Sequence, residues 1–431
     1  MTEVGRCRRE READPIEDIC RDFLLDFVKK IPPIATGGFF KIEDLRLVVT
    51  DQCPYSCVYC GVHYQKALDL GLITRDEFEK RDIGGNEGAS IGRYLTNKSL
   101  YLSLDDYRFL VAVLAYYFGV RDVTFSGGDP FARPDIRELI DSIDDFGLRT
   151  TALTKGLPLF SGTDKNLIAR KSGRLSRIIF SLDTLNAEEH ASVNLPLMPR
   201  KEAVKALPKT LAAIRNACDL GYNVDINSVI IPIDFNSKRE TADSFGNIRE
   251  IIEFALKNKV NRIKFIELDL KSTLGSPYIE KYFKVMADMG YFKDFHLSKW
   301  ADPVLDLNNQ MTEFALIKRE KGFADLQLCT YRTHCPTTFL RKMEGDKGKI
   351  DKKCDFREGG ELNINSIGQI ITCQKNPDRQ IIDLRSAVVR RDILGIIELV
   401  KDAGNKIGEQ QCAMEQLQNN YNINICEEKV S

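Results

Sequence analysis

Three cysteines fall within eight residues of the stretch TDQCPYSCVYCGVHY (50–64): Cys53, Cys57 and Cys60, spaced Cys-x3-Cys-x2-Cys. Thiolates packed this densely offer soft-metal binding or redox exchange. Structural zinc sites close with four ligands and favour paired Cys-x2-Cys knuckles, which this stretch does not supply. Three thiolates from one loop can instead hold three corners of a 4Fe–4S cube, leaving the fourth iron open to a small molecule. Clusters dedicated to electron transfer carry four cysteines. An open corner therefore reads as a binding position, as in a catalytic zinc site. The plain alternatives are part of a zinc knuckle or a chance cluster.

Such a loop needs a scaffold, and the flanking sequence supplies one. Short β-branched runs at 45–50, 122–126, 149–154, 177–182, 224–231 and 262–268 alternate with helical patterns at 104–118, 135–146, 200–220 and 245–258. Six βα units in series predict parallel strands with crossover helices, an α/β fold. Closed or partly closed, this is a partial TIM-like (β/α)6 barrel; a doubly wound open sheet is the alternative. Both place chemistry at the carboxyl ends of the strands. The cysteine loop directly follows the first strand, and SGGDP (126–130) follows the second, so the two meet at that end.

The 431 residues divide into an N-terminal extension (1–43), the barrel (44–270) and a C-terminal region (271–431) holding six of the twelve cysteines. A net charge of −1 gives no broad attraction to nucleic acid or to a membrane surface. No apolar run reaches membrane-spanning length. The N-terminal residues lack a secretory apolar core. These features predict a cytoplasmic protein whose clustered cysteines bind metal, with isolated ones such as Cys218 acting as small hydrophobes.

Cys53, Cys57 and Cys60 after a first strand, with aromatic Tyr59 before the third cysteine, resemble the signature of the radical S-adenosylmethionine (SAM) superfamily. Gly127, Gly128, Asp129 and Pro130 resemble its Gly-Gly-Glu-Pro motif, which meets the methionine amino group, with Asp129 replacing the usual glutamate. FSLDT (180–184), INSVIIP (226–232) and KFIELD (264–269) resemble segments of the molybdenum-cofactor GTP 3′,8-cyclase group. The resemblance spans roughly 44–270 and implies that Thr154, Ser181 and Asn227 lie near SAM. It also implies an enzyme with a SAM-binding 4Fe–4S cluster, which takes an electron from a donor such as flavodoxin or ferredoxin. Reductive cleavage of SAM would give a 5′-deoxyadenosyl radical that abstracts hydrogen from substrate carbon. Taken singly, Tyr59 reads as a packing residue, and Thr154, Ser181 and Asn227 as strand-end structural residues.

Further along, Cys354-x13-Gly368-x4-Cys373 resembles the opening of the SPASM/Twitch module, which implies a second 4Fe–4S cluster, with Cys329 and Cys335 or else Cys412 and Cys426 completing it. Buried thiols or a zinc site are the alternative. ELNINSIGQIITC predicts a hairpin with the glycine at its turn. Basic positions of the GTP cyclases correspond here to Asp122, Thr124, Asp225, Glu361 and Asn363. Triphosphate binding uses Arg and Lys. The expected substrate is therefore a non-triphosphate: an amino sugar, an amino acid or a peptide side chain. Two alternatives stand beside it, a SPASM/Twitch-type peptide-modifying maturase and a non-catalytic iron–sulfur electron carrier or redox sensor.

Overall fold

The computed structural model describes residues 14–28, 41–55, 57, 101–156, 175–195, 198–230, 243–267, 296–300, 315–318, 325–329, 358–371 and 381–409. Strands β1 (Lys41–Thr50), β2 (Asp122–Gly127), β3 (Arg149–Thr154), β4 (Arg177–Ser181), β5 (Val224–Ile230) and β6 (Arg262–Glu267) lie side by side in chain order. Each is parallel to its neighbour. A doubly wound sheet reverses its strand order at a switch point. These six strands do not, and the fold is the partial (β/α)6 barrel.

The described helices are α1 (Pro15–Leu25), α2 (Leu104–Phe118), α3 (Ile136–Asp144), α4 (Ala187–Asn194), α5 (Arg200–Ala203), α6 (Ala206–Asp219), α7 (Asp243–Lys257), α8 (Arg385–Val389) and α9 (Ile393–Glu409). The helix expected over 200–220 is thus two helices. Pro208 explains the break: it has no N–H for the Val204 carbonyl, and its ring crowds that turn.

The region after residue 270, expected as an extension apart from the barrel, adds strands to both edges of the same sheet. β9 (Asp325–Cys329) pairs parallel to β6, followed by antiparallel β8 (Ala315–Lys318) and β7 (His296–Trp300). On the other edge β10 (Glu358–Ile364) pairs parallel to β1, followed by antiparallel β11 (Gln369–Ile371) and β12 (Ile381–Asp383). Six strands alone would leave unpaired backbone groups along β1 and β6, and these additions satisfy them. The expected β10–β11 hairpin turns at Gly368, whose φ of +85° suits glycine. There Asn365 Oδ1 accepts the amides of Ile367 and Gln369.

Register assigns the two faces of the sheet. Leu45, Leu47, Val123, Phe125, Phe180 and Ile226 belong to one continuous buried apolar core. Polar residues predominate on the alternate face: Arg46, Thr124, Thr151 and Arg177 stand opposite one another across four strands, each half-buried, with apolar Val48, Leu153 and Ile179 two residues further along. The strands therefore carry a greasy outer face under helices and a polar inner face, as a barrel with a polar lumen requires.

Helix α2 ties the two ends of the chain to this core. Ten of its residues are buried, because α1, α8 and α9 pack on it in addition to β1. Arg391 pairs with Asp106 and lies over the rings of Phe27 and Phe109. Ser103 and Asp106 close a capping box at the start of α2, and Gly119 ends the helix in the left-handed conformation.

Candidate functional site

The cysteine loop leaves β1 at Thr50 and is fastened before its first cysteine. Asp51 is buried and accepts hydrogen bonds from the Tyr101 hydroxyl at 3.2 Å and the Ser366 hydroxyl at 3.4 Å. Ser366 belongs to the β10–β11 turn, so the C-terminal hairpin braces the start of the loop. Arg133 donates to the carbonyls of Val49 and Leu102 and pairs with Asp135 at 2.6 Å.

From the other side, the end of β2 closes on the same loop. Gly128 N–H donates to Thr50 O and Asp129 N–H to Gln52 O, both at 2.8 Å. This approach requires glycine: a Cβ on Gly127 would lie 2.1 Å from Thr50 O, and one on Gly128 2.3 Å from Gln52 O. Gly127 also has φ +133°, which side chains rarely adopt.

Asp129 points inward. Its carboxylate caps the short 3-10 turn Pro130–Ala132 through Phe131 N–H at 3.1 Å, and it accepts from Thr154 Oγ1 at 2.8 Å and Lys155 N–H at 3.1 Å. Pro130 is buried at the first position of that turn. Burial pushes the Asp129 carboxyl up to about 6, against the pull of the Thr154 hydroxyl and of the two amides. Its folded value lies above the ordinary 3.8, so the native state keeps a proton that the unfolded chain has already released. Its contribution to stability is full at low pH and is lost as pH rises through about 6.

Thr154 is buried and spends its hydroxyl within the protein, donating to Asp129 and accepting Gly156 N–H at 2.8 Å. Replacing it by valine is expected to cost about 1–3 kcal/mol in denaturant unfolding at mildly alkaline pH, where Asp129 is ionised and loses a donor. The cost should shrink below about pH 6, where the carboxyl holds its own proton. An equal cost at both pH values would contradict this account.

Ser181 and Asn227 stand opposite one another in register at the carboxyl ends of β4 and β5, both half-buried on the polar face. Cys53 and Cys57 are half-buried, packed against Tyr55, Ala191, Leu195, Ala203 and Ala206. The backbone of Cys329 ends β9 opposite Ile266, at the same end of the sheet. Tyr59, Cys60, Cys335, Cys354 and Cys373 lie outside the described residues, as do Cys412 and Cys426.

The structure also adds residues that the motifs did not single out. Lys155 Nζ donates to Asp183 Oδ2 and Asn194 Oδ1, each at 2.9 Å, and all three residues are buried. Asp183 Oδ1 holds Val229 N–H at 2.9 Å. Since Asn194 Oδ1 faces the ammonium, its Nδ2 donates to His190 Nδ1 at 3.2 Å, which assigns the His190 proton to Nε2. That Nε2 is buried without a hydrogen-bond partner among the described residues. Burial first, and Lys155 second, push His190 down to about 4, so the ring is neutral at physiological pH. As a base held below its ordinary 6.5, it contributes stability above that value, lost as pH falls through about 4. The Tyr55 ring lies edge-on to His190 and 5.5 Å from Lys155 Nζ, while its hydroxyl meets Thr210 Oγ1 at 2.8 Å. Charged residues directly after strands were the available signal: Lys155 follows Thr154, and Asp183 follows Ser181 by two.

Two acids expected in the pocket are neutralised. Asp122 pairs with Arg149 and Asp225 with Arg177 at 3.6 Å. Arg46 shares their face, and Arg262 and Lys264 stand opposite Asp225 and Asn227. Neither acid is left as a bare charge to repel an anion.

Comparison with known proteins places this geometry. Residues 47–245 match the model of the radical SAM superfamily. The probable GTP 3′,8-cyclase of Sulfurisphaera tokodaii is 25% identical over 346 residues, covering 75% of this chain and 92% of that protein. The GTP 3′,8-cyclase of Marinobacter nauticus is 28% identical over 230 residues, covering 52% of this chain and 54% of that enzyme, so the match spans about half its length. A crystal structure of Streptococcus suis SuiB bound to S-adenosylmethionine superposes with a TM-score of 0.47 at 15% identity, over 79% of this chain and 63% of that one.

Enzymes of this superfamily use a 4Fe–4S cluster and SAM. The residues present fit these groups: two half-buried cysteines, soft-metal ligands by their chemistry, stand on a loop at the carboxyl end of the barrel, and glycines too close to it for any Cβ hold the loop there. Residues 47–245 thus form a radical SAM domain.

Proposed function

We propose that the protein cleaves SAM reductively and uses the resulting radical on a substrate that is not a triphosphate: an amino sugar, an amino acid or a peptide side chain. Cys53, Cys57 and Cys60 would hold the cluster, and the backbone at Gly127–Pro130, with Tyr59, Thr154, Ser181 and Asn227 around it, would form the SAM pocket. Thr154 would serve that pocket by fixing Asp129. Held there, a cluster would supply the electron for reductive cleavage of the S–C5′ bond of SAM, giving methionine and a 5′-deoxyadenosyl radical for hydrogen abstraction from substrate carbon. The electron would come from a donor such as flavodoxin or ferredoxin. The proposal includes a second 4Fe–4S cluster on Cys354 and Cys373, with Cys329 and Cys335 as further ligands.

The observation carrying the substrate class is the pairing of charges on the polar face. Arg149 and Arg177 are each held by a carboxylate from a neighbouring strand. A triphosphate calls for convergent cations free to bind it bidentately. Paired in this way, Arg149 and Arg177 offer both signs of charge, which suits a neutral or zwitterionic molecule, whereas a triphosphate would have to draw on Arg46, Arg262 and Lys264 of the same face. The relatives named GTP 3′,8-cyclase make GTP the competing substrate.

The test uses the full chain, reconstituted anaerobically and reduced with dithionite. Incubation with SAM is expected to yield 5′-deoxyadenosine, and GTP added to the same reaction is expected to remain unconsumed. Stoichiometric conversion of GTP would overturn the substrate class. Absence of 5′-deoxyadenosine from a fully loaded sample would overturn the radical chemistry itself. No helix among the described residues is long and apolar enough to cross a membrane.

A further inference from the structure

Lys155 links the cysteine loop to the end of β2, the turn after β4, α4 and α6. Its amide binds Asp129, at the end of β2. Its carbonyl accepts the Thr210 hydroxyl of α6 at 2.8 Å and faces the Tyr55 hydroxyl at 3.4 Å. Its ammonium is clamped by Asp183, after β4, and by Asn194 of α4. Above that ammonium lies the Tyr55 ring, and Tyr55 sits in the chain midway between Cys53 and Cys57. Both cysteines pack on the cluster of side chains to which Tyr55 belongs.

A buried cation is costly unless it is held. Here the hold has a geometric consequence. Asp183 is fixed by Val229 N–H on one oxygen and holds Lys155 on the other, so the ammonium is tied to the end of β5 through a buried ion pair. The chain thus keeps a charge of fixed sign and place beside the Tyr55 ring of the loop. Reduction adds negative charge to an iron–sulfur cluster, and its potential responds to nearby charge and solvent exposure. Little water lies between this ammonium and the loop to screen it, since Lys155 and Tyr55 are both buried.

From this juxtaposition we infer that Lys155 is a positioning residue that holds a fixed positive charge under the Cys53–Cys57 loop and raises the reduction potential of the cluster bound there, with Asp183 as the counter-charge that sets the size of the effect. This inference rests on the proposed cluster at that loop. It concerns how easily the cluster accepts its electron, so it applies whatever the substrate is.

The test is a redox titration followed by electron paramagnetic resonance, on the full reconstituted chain without SAM. The signal followed is the one that changes when SAM is added afterwards, which separates this cluster from any second one. Lys155→Gln keeps a donor for Asp183 but removes the charge, and its midpoint potential is expected to fall. Asp183→Asn removes the opposing charge and leaves an acceptor for Val229 N–H, and its midpoint is expected to rise. Lys155→Arg is expected to stay near wild type.

Opposite shifts carry the inference, because a merely structural role has no reason to give opposite signs. Shifts in the same direction, or no shift in either variant, would overturn it. So would wild-type potential in Asp183→Asn if Lys155→Gln does not fold. Variants that fold as apoproteins but load no iron would assign Lys155 a structural role only, which also overturns the inference. Failure of the wild-type chain to load a cluster would instead remove the functional reading on which the inference depends.

Discussion

A Cys57→Ala variant is expected to lose the iron bound at the loop and to give 5′-deoxyadenosine only at background level from SAM and dithionite. Two remaining thiolates cannot hold a cube by three corners, and among the described residues no group of three or more His, Cys, Asp or Glu side chains stands ready to hold a metal in their place. Iron and sulfide per chain, and product by chromatography, are the measurements. Cys218→Ala is the internal control. Cys218 packs beside the apolar core, and burial pushes its thiol up to about 11, so it is a poor ligand and its loss should leave iron and product unchanged. Full product from Cys57→Ala would show that the loop does not hold the cluster.

Gly127→Ala is expected to produce the second large effect, on stability and assembly together. The new methyl group would lie 2.1 Å from Thr50 O, and the backbone there holds φ +133°. Left-handed strain costs about 1–3 kcal/mol for a residue with a side chain. Forcing a carbon into packed backbone adds about 1–3 kcal/mol. Since Thr50 O also accepts Gly128 N–H, relief requires the cysteine loop to move off the end of β2. The variant should therefore unfold at lower denaturant by roughly 3 kcal/mol, on those same two terms, and should load less iron. Gly221→Ala provides the comparison: φ there is +80°, but nothing lies within 4 Å of the added carbon. Only the strain of about 1 kcal/mol should appear, with iron loading intact. Equal effects at the two glycines would mean that contact with Thr50 is unimportant.

Much of the barrel was legible because its signals are local. Alternating apolar residues mark β1 to β6 within a few residues of their observed ends, since a strand with one buried face must repeat every two residues. Their serial order placed the cysteine loop and the glycine pair at one end of the sheet before any coordinates. The split of the helix over 200–220 was also readable, at Pro208, although periodicity alone ran straight through it. The edges were not legible in this way. Nothing in the residues of β9 or β10 names a partner strand, which lies dozens of positions earlier in the chain for β9 and hundreds earlier for β10. The barrel edges they cover are a property of the assembled sheet.

The charges show the same division more sharply. Sequence alone determined that acids occupy positions 122 and 225, that a lysine follows Thr154, and that three thiols share one loop. Only tertiary structure decided what those charges face. Register brings Arg149 beside Asp122 and Arg177 close to Asp225, which cancels a repulsion that composition at those positions would suggest. Likewise, the turns after β3 and β4 bring Lys155 onto Asp183, and the fold of the cysteine loop lays Tyr55 over the pair. A side chain's charge is written in the chain, but its effect depends on distance, burial and partner, and those exist only once strands far apart in sequence lie ångströms apart in the sheet.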